Sequence, residues 1–438
     1  MKSDRHWPVV IVGGGFSGTI LAAQLARRGI RSVIVEATDR AGRGTAYSTT
    51  DPAHLLNVPA ANMGAWADEP GDFAAHSGDP AAFAARRDYG AYLRGILDEA
   101  LASGATVESG RAVGARPTAD GGWTVDLADG DPITGEALVL AIGNQPPQTM
   151  AALRDGGERV IENPWSVEAR SAVAEVATTD APVLIVGTGL TMVDVMLSLD
   201  SAGHGGRIVA LSRRGLIPRG HAAYEAQPIE RSALPAGGLN ALFAWLRHSA
   251  AALGSWRAAI DRLRPHSQYL WQSLPPGEQQ RFLRHARPWW DVHRHRIAPQ
   301  VSAKLAGMID EGRLEIVAGR LAHVEPQASS VRVGYRRRGD ETLREGEFAY
   351  VFNCTGPLGR IEQTRDPLLR QLLDDGLARP DPLGIGIAVD ERSAVAGAAH
   401  LWALGPLTKG RFWEIIAVPD IRNQAAQVAD DIARELGR

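Results

Sequence analysis

The stretch PVVIVGGGFSGTILAAQLARRGIRSVIVEA, residues 8–37, constrains the fold more than any other part of the chain. Val9, Val10, Ile11 and Val12 are consecutive β-branched residues, the composition of a buried parallel strand. Gly13, Gly15 and Gly18 follow with G-x-G-x-x-G spacing and open a helix-like run over 19–28. A second apolar run, 32–35, ends in Glu36. This is the order of a dinucleotide-binding βαβ unit. One glycine makes the tight turn, one lets a pyrophosphate approach, one lets helix and strand pack, and the acid takes ribose hydroxyls. The open N–H groups of the first helical turn, where Ser17 stands, and the positive end of the helix dipole would face the phosphates.

The plan then starts again. Residues 182–186 read as a strand, Gly187-Thr-Gly189 as a tight turn and 190–199 as a helix with Thr191 in its first turn. A further strand, 207–211, ends in Ser212, Arg213 and Arg214. In the first copy, an amphipathic helix over 88–102 precedes strand-like runs at 106–113, 123–127 and 137–142, separated by Asp-Gly and Gly-Gly turns, which predicts a β-meander. Runs at 331–335 and 348–353 repeat the meander and its closing strand. The closing strands lead to Gly143 and Gly356, where the backbone can pass close to a ligand. The sequence therefore predicts an α/β protein with two Rossmann-like dinucleotide-binding domains, each with a β-meander, plus a helical insertion. The expected division is a first dinucleotide-binding domain over 1–165, a second over 166–350 with the insertion at about 215–299, and a return to the first domain over 351–438.

The copies differ where the second strand ends. Glu36 suits an unphosphorylated adenosine ribose, whereas Ser212, Arg213 and Arg214 would hold a 2′-phosphate that an acid would repel. The expectation is FAD in the first site and NADPH in the second; the alternative for the two arginines is plain surface charge. Met192 stands where the second copy would carry its third glycine, so helix and strand are expected to pack less closely there.

Residues 40–66 form a connection too long for a simple link and too apolar for disorder, and are expected to lie across the ligand. Gly42 and Gly44 permit close approach there. Asn57 or Asn62 either bonds a flavin ring or satisfies its own turn. The insertion ends in RFLRHARPWWDVHRHRIAP, with five arginines, three histidines and one aspartate. On a helix, Trp289, His293 and Arg296 would share one face, and Trp290 and Arg294 another. A cap with solvated arginines fits this pattern, and so does a lid facing an anionic substrate or the NADPH phosphates. No metal site is expected, because His293 and His295 are two apart and no cysteine or acid cluster joins them. Near the C-terminus, a strand at 400–404 leads to Gly405, and a helix over 419–436 opens at a proline with Asp420 in its first turn, its positive end directed at the flavin.

Composition narrows the function. A chain of 438 residues, 45% hydrophobic and 22% charged, has ample core for two or three domains. A net charge of −3 supplies no dominant cationic face for nucleic acid. The single cysteine, Cys354, excludes an intrachain disulfide and a dithiol mechanism. The sequence shows neither a signal-peptide pattern nor an apolar run of bilayer-spanning length, so the expected setting is cytoplasmic, with no membrane partner.

The motifs GGGFSGT, GRGTAYSTTDPAHLLNVPAANM, VLIVGTGLTMVDV, WWDVHRHRIAP, FNCTGP and GPLTKGRFWEIIAVPDIRNQA give the chain a resemblance to the two-dinucleotide-binding flavoproteins. Within them it resembles the NADPH-using flavin monooxygenases related to lysine and ornithine N-hydroxylases, and more closely the broad FAD-NAD(P)-binding family. The resemblance implies FAD, NADPH, dioxygen and a small-molecule substrate. The implied reaction is oxygen transfer from a C4a-hydroperoxyflavin to an amine or other soft nucleophile. The alternative is a flavin dehydrogenase or reductase without oxygen transfer, and a redox-responsive binding protein stands further off. The substrate residues of the lysine and ornithine enzymes have no counterparts in this sequence. Candidates for a substrate pocket are Asn57, Asn62, Trp290, His293 and Arg294.

Overall fold

A computed structural model describes residues 6–438. Two parallel-rich sheets of seven strands each organise the chain. In the first, β1 (His6–Val12) lies between β2 (Ser32–Glu36) and the long β6 (Ile133–Leu140), all parallel, with β3 (Ala105–Ser109) parallel to β2 at the edge. β4 (Ala112–Pro117) and β5 (Trp123–Leu127) form an antiparallel meander with the first half of β6. The second half of β6 pairs in parallel with β14 (Leu401–Ala403), so the end of the chain returns to the first sheet.

The second sheet uses β7 (Val160–Ile161), β8 (Val183–Val186), β9 (Ile208–Ser212), β10 (Leu314–Pro326), β11 (Val331–Arg337), β12 (Leu343–Phe348) and β13 (Tyr350–Asn353). Its order is β12-β11-β10-β9-β8-β13-β7. β10 pairs in parallel with β9 over its first half. From Gly319 onward it pairs antiparallel with β11, with a register shift between Leu321 and His323 inside that ladder. The meander therefore grows from the third strand here and from the closing strand in the first domain.

Two strand-like runs correct the sequence expectation. Residues 106–113 are not one strand. Gly110 N–H donates to the Glu36 carbonyl at 2.9 Å and turns the chain, so β3 joins the parallel ladder and β4 begins the meander. Residues 348–353 divide in the same way at Ala349, whose N–H donates to the Pro182 carbonyl at 2.8 Å. Phe348 ends the antiparallel β12, and Tyr350 opens the parallel β13. The run at 137–142 belongs to a longer strand that stops at Leu140, and the final helix runs Val418–Glu435.

Parallel strands covered on both faces need apolar side chains in both directions, which the Val/Ile runs of β1, β2 and β8 supply. Helices Phe16–Arg27, Arg86–Ala102 and Val418–Glu435 cover one face of the first sheet, burying Ile20, Leu21, Leu93 and Val428 completely. The insertion forms helices Gly238–Ala252, Trp256–Leu263, Ser267–Ser273 and Arg287–Arg294, with a separate small core around Leu246, Ala259 and Leu263. Its last helix is preceded by a π turn, Phe282–Ala286, next to Pro288, which has no N–H to continue regular bonding. No helix of the described residues is long and apolar enough to cross a membrane.

Candidate functional site: two glycine loops at the strand ends

β1 is followed by Gly13, whose φ is +104°. A Cβ there would lie 2.5 Å from the Ala141 carbonyl oxygen, and one on Gly18 would lie 1.9 Å from that of Gly13. The turn and the helix–strand approach thus both require glycine. Helix Phe16–Arg27 starts at Gly15 with no side chain capping it, so its first-turn N–H groups remain available to an anion. Ser17 is buried in that turn, against Gly405, where a Cβ would come within 2.8 Å of Ser17 Oγ. Gly42 N–H donates to the Gly14 carbonyl at 2.8 Å. A Cβ on Gly44 would lie 2.9 Å from Gly15 Cα, so residues 42–44 close directly on the glycine loop. Glu36 accepts from Gly14 N–H at 2.7 Å through one oxygen, and from Thr38 N–H at 2.9 Å and Thr38 Oγ1 at 2.7 Å through the other. Gly143, at φ +73°, has open space where a Cβ would project.

The second site repeats this arrangement with changes. Gly187, at φ +118°, would place a Cβ 2.1 Å from the Cys354 carbonyl oxygen. Helix Leu190–Ser201 begins at Gly189, again without a side-chain cap and with open space at that glycine; Thr191 is half-buried in its first turn. The counterpart of Gly18 is Met192, whose side chain is fully buried in the core of the second domain. Ser212 Oγ is 2.8 Å from Thr188 Oγ1 and accepts from Gly215 N–H at 3.0 Å, which shapes the turn that presents the arginines. Arg213 is exposed and Arg214 half-buried, and neither forms an ion pair among the described residues. Gly356, at φ +92°, follows β13 with open space beside it.

The strand ends of the two domains meet. Leu358 N–H donates to the Gln145 carbonyl at 3.3 Å, and Asn353 Nδ2 donates to the Gln148 carbonyl at 3.2 Å. Lys409 Nζ, from the segment after Gly405, lies 3.4 Å from the Leu358 carbonyl. Burial and nearby Arg287 lower the Lys409 ammonium to about 8, against the opposing pull of Asp381.

The five substrate-pocket candidates do not converge. Asn57 lines a small hollow together with Arg86 and Asp194, and its carbonyl accepts from His221 Nε2 at 3.0 Å. Asn62 is exposed, at the end of the short helix Ala60–Asn62. Trp290 Nε1 and Arg294 Nε both donate to Glu414, at 2.7 and 3.1 Å. His293 instead stacks on Trp256, with ring centroids 5.4 Å apart. Arg296 lies beyond the helix end, buried and paired with Asp261, so it shares no helical face with Trp289.

Two buried charges that the sequence reading passed over hold the parts together. Asp194, within helix Leu190–Ser201, pairs with Arg86 at 2.9 and 3.0 Å and joins the second nucleotide helix to the first domain. Its signal was a lone acid inside the apolar run TMVDVMLSL. Glu414 joins the insertion to the C-terminal segment. Arg294, His295 and Arg264 keep its carboxyl below the ordinary range, although burial pushes the other way. Cys354 is buried, and desolvation pushes its thiol far up, so it is not a reactive thiolate.

Two parallel-rich sheets, each with an uncapped glycine-loop helix at its strand ends, define a two-dinucleotide-binding α/β protein. Residues 10–145 match the family model described as FAD-NAD(P)-binding. No curated protein matches the sequence. Among solved structures, the fold is similar to that of an ornithine N-hydroxylase of Kutzneria sp. 744, solved with reduced FAD, NADP+ and L-ornithine. The two are 15% identical, with 98% of this chain and 100% of that one covered and a TM-score of 0.70. It is also similar to L-lysine 6-monooxygenase of Pseudomonas syringae (18% identity, 98% and 99% covered, TM-score 0.66). Thioredoxin reductase of Lactococcus lactis shares the fold less closely (14% identity, 98% and 99% covered, TM-score 0.56).

Proposed function

We propose that the protein is an FAD-dependent, NADPH-consuming monooxygenase that hydroxylates an amine or other soft nucleophile on a small molecule. The observation that carries this reading is the contrast between two otherwise equivalent sites: Glu36 ends the second strand of one, and unpaired Arg213 and Arg214 follow that of the other. Gly13, Gly15, Ser17 and Gly18 would hold the FAD pyrophosphate at the helix N-terminus, with Glu36 on the ribose and Gly42, Gly44, Gly143 and Gly405 allowing close backbone approach. Gly187, Gly189 and Thr191 would do the same for NADPH, Ser212, Arg213 and Arg214 would receive its 2′-phosphate, and Gly356 would border the nicotinamide half.

Bound FAD would supply the redox chemistry: NADPH, a proton, dioxygen and an amine give NADP+, water and a hydroxylamine. The chain's own task is alignment and exclusion of water. The Arg86–Asp194 pair and the contacts of Gln145 and Gln148 hold the two strand-end edges together, so two ligands bound there would face each other. A thioredoxin-reductase type of reaction needs a pair of cysteines, and this chain has only the buried Cys354.

The test is a screen of amines, amino acids and sulfur compounds with the FAD-loaded protein, following NADPH, dioxygen, hydrogen peroxide and product mass. The expected result is a substrate that speeds NADPH consumption and gains one oxygen atom. NADPH oxidation whose dioxygen appears entirely as hydrogen peroxide, whatever compound is present, would sink the monooxygenase reading and favour a flavin dehydrogenase.

A further inference from the structure

The helical insertion carries an apolar cleft open to solvent, walled by Leu242, Leu270, Trp271, Phe282, Trp290 and Trp413 among other apolar residues. No charged side chain lines it, and its one hydroxyl, Ser267 Oγ, donates to the Leu263 carbonyl at 3.4 Å. Two of its three indoles have turned their N–H groups onto protein: Trp271 donates to the Gly410 carbonyl at 2.9 Å and Trp290 to Glu414 at 2.7 Å. The walls therefore present mainly ring faces and methyl groups.

One short segment of chain leads from the first nucleotide site to the wall of the cleft. Gly405 follows β14 at the edge where Gly13 and Gly143 also stand, and its N–H donates to Gln424 Oε1 at 2.8 Å. From there the chain runs through Gly410, held by Trp271, to Trp413, which stacks on Trp271 with ring centroids 4.6 Å apart. The residues that border one site and wall the other belong to a single fixed strap.

The charged end of a side chain such as that of lysine or ornithine has no partner in this cleft, and burying it unpaired is costly. A hydrocarbon group is accepted without that cost. We infer that the cleft binds the alkyl or aryl group of the substrate, so that the substrate class is an amine carrying a sizeable hydrocarbon group. This deepens the monooxygenase reading and rests on it for the identity of the oxidised group.

The test separates the two ideas by using binding without turnover. Dissociation constants of n-butylamine, n-hexylamine and n-octylamine are measured by calorimetry on the oxidised, FAD-loaded protein, with L-ornithine and L-lysine for comparison. Burial of each added methylene should tighten binding by about four-fold until the cleft is filled. Leu242→Trp, at a half-buried position in the wall, should flatten that slope; Leu274→Trp, just after helix Ser267–Ser273, is the second variant should the first not fold. Equal affinity along the series, a slope that survives in a folded Trp variant, or tighter binding of the amino acids would each overturn the inference. A slope without NADPH consumption would leave the cleft assignment standing and count against the monooxygenase reading alone.

Discussion

The Arg86–Asp194 pair should be a principal fastening between the second nucleotide helix and the first domain, and its removal can be worked through from the contacts. The side chains are 15% and 8% exposed, and the guanidinium meets both carboxylate oxygens. Replacing Asp194 with leucine leaves a buried arginine whose remaining bond is to the Leu55 carbonyl at 3.2 Å. Breaking a buried pair from one side costs about 3–5 kcal/mol. That remaining bond and the residual exposure of Arg86 place the expected loss near the lower end, about 3 kcal/mol. For a domain of this size such a loss lowers Tm by roughly 6–12 °C. Replacing both residues with leucine removes the stranded charge, so the double variant should recover to within about 1 kcal/mol of the parent. Urea unfolding of the FAD-loaded parent, both single variants and the double variant completes the cycle. A double variant as unstable as Asp194→Leu alone would show that the loss reflects packing, not an unpaired charge, and would refute the reasoning.

Other positions give sharper local tests. Gly18→Ala drives a methyl group into the Gly13 carbonyl and should cost about 1–3 kcal/mol together with retention of FAD, whereas Gly95→Ala, in open space on helix Arg86–Ala102, should add up to about 1 kcal/mol. Thermal denaturation and flavin content after gel filtration measure both. Lys409 carries a charge that burial disfavours: its folded pKa of about 8 lies below the ordinary 10.5, so the unfolded chain binds the extra proton between those values and stability rises with pH across that window. Lys409→Met should therefore be more stable than the parent at pH 7, by up to about 3 kcal/mol, with the advantage fading toward pH 10. A variant less stable at pH 7 would show that Lys409 is held by a favourable partner.

The glycine loops were legible because their requirements are local. A positive φ or a carbonyl within 2–3 Å of a would-be Cβ admits only glycine, and the strand–loop–helix order around it is short-range. The strand divisions were less legible for the opposite reason. Residues 348–353 are almost uniformly apolar or aromatic, and only pairing with Pro182, far away in sequence, reveals the break at Ala349. The break at Gly110 did carry a signal, a glycine within a strand-like run. The candidates at the end of the insertion had the right residue types for a lid, but Trp290 and Arg294 face Glu414, more than a hundred positions later. No helical periodicity could anticipate that partner.

The central claim, a hydride path from a nicotinamide site marked by Arg213 and Arg214 to a flavin site marked by Glu36, is tested most directly by anaerobic mixing. FAD-loaded protein is mixed with NADPH or NADH while flavin absorbance is followed, for the parent and for Arg213→Ala/Arg214→Ala. The account predicts that NADPH bleaches the parent flavin faster than NADH by at least ten-fold, about 1.4 kcal/mol of discrimination, and that the double variant loses this preference while keeping its FAD. Protein that does not retain FAD, or a parent flavin that NADPH leaves unbleached, would contradict it.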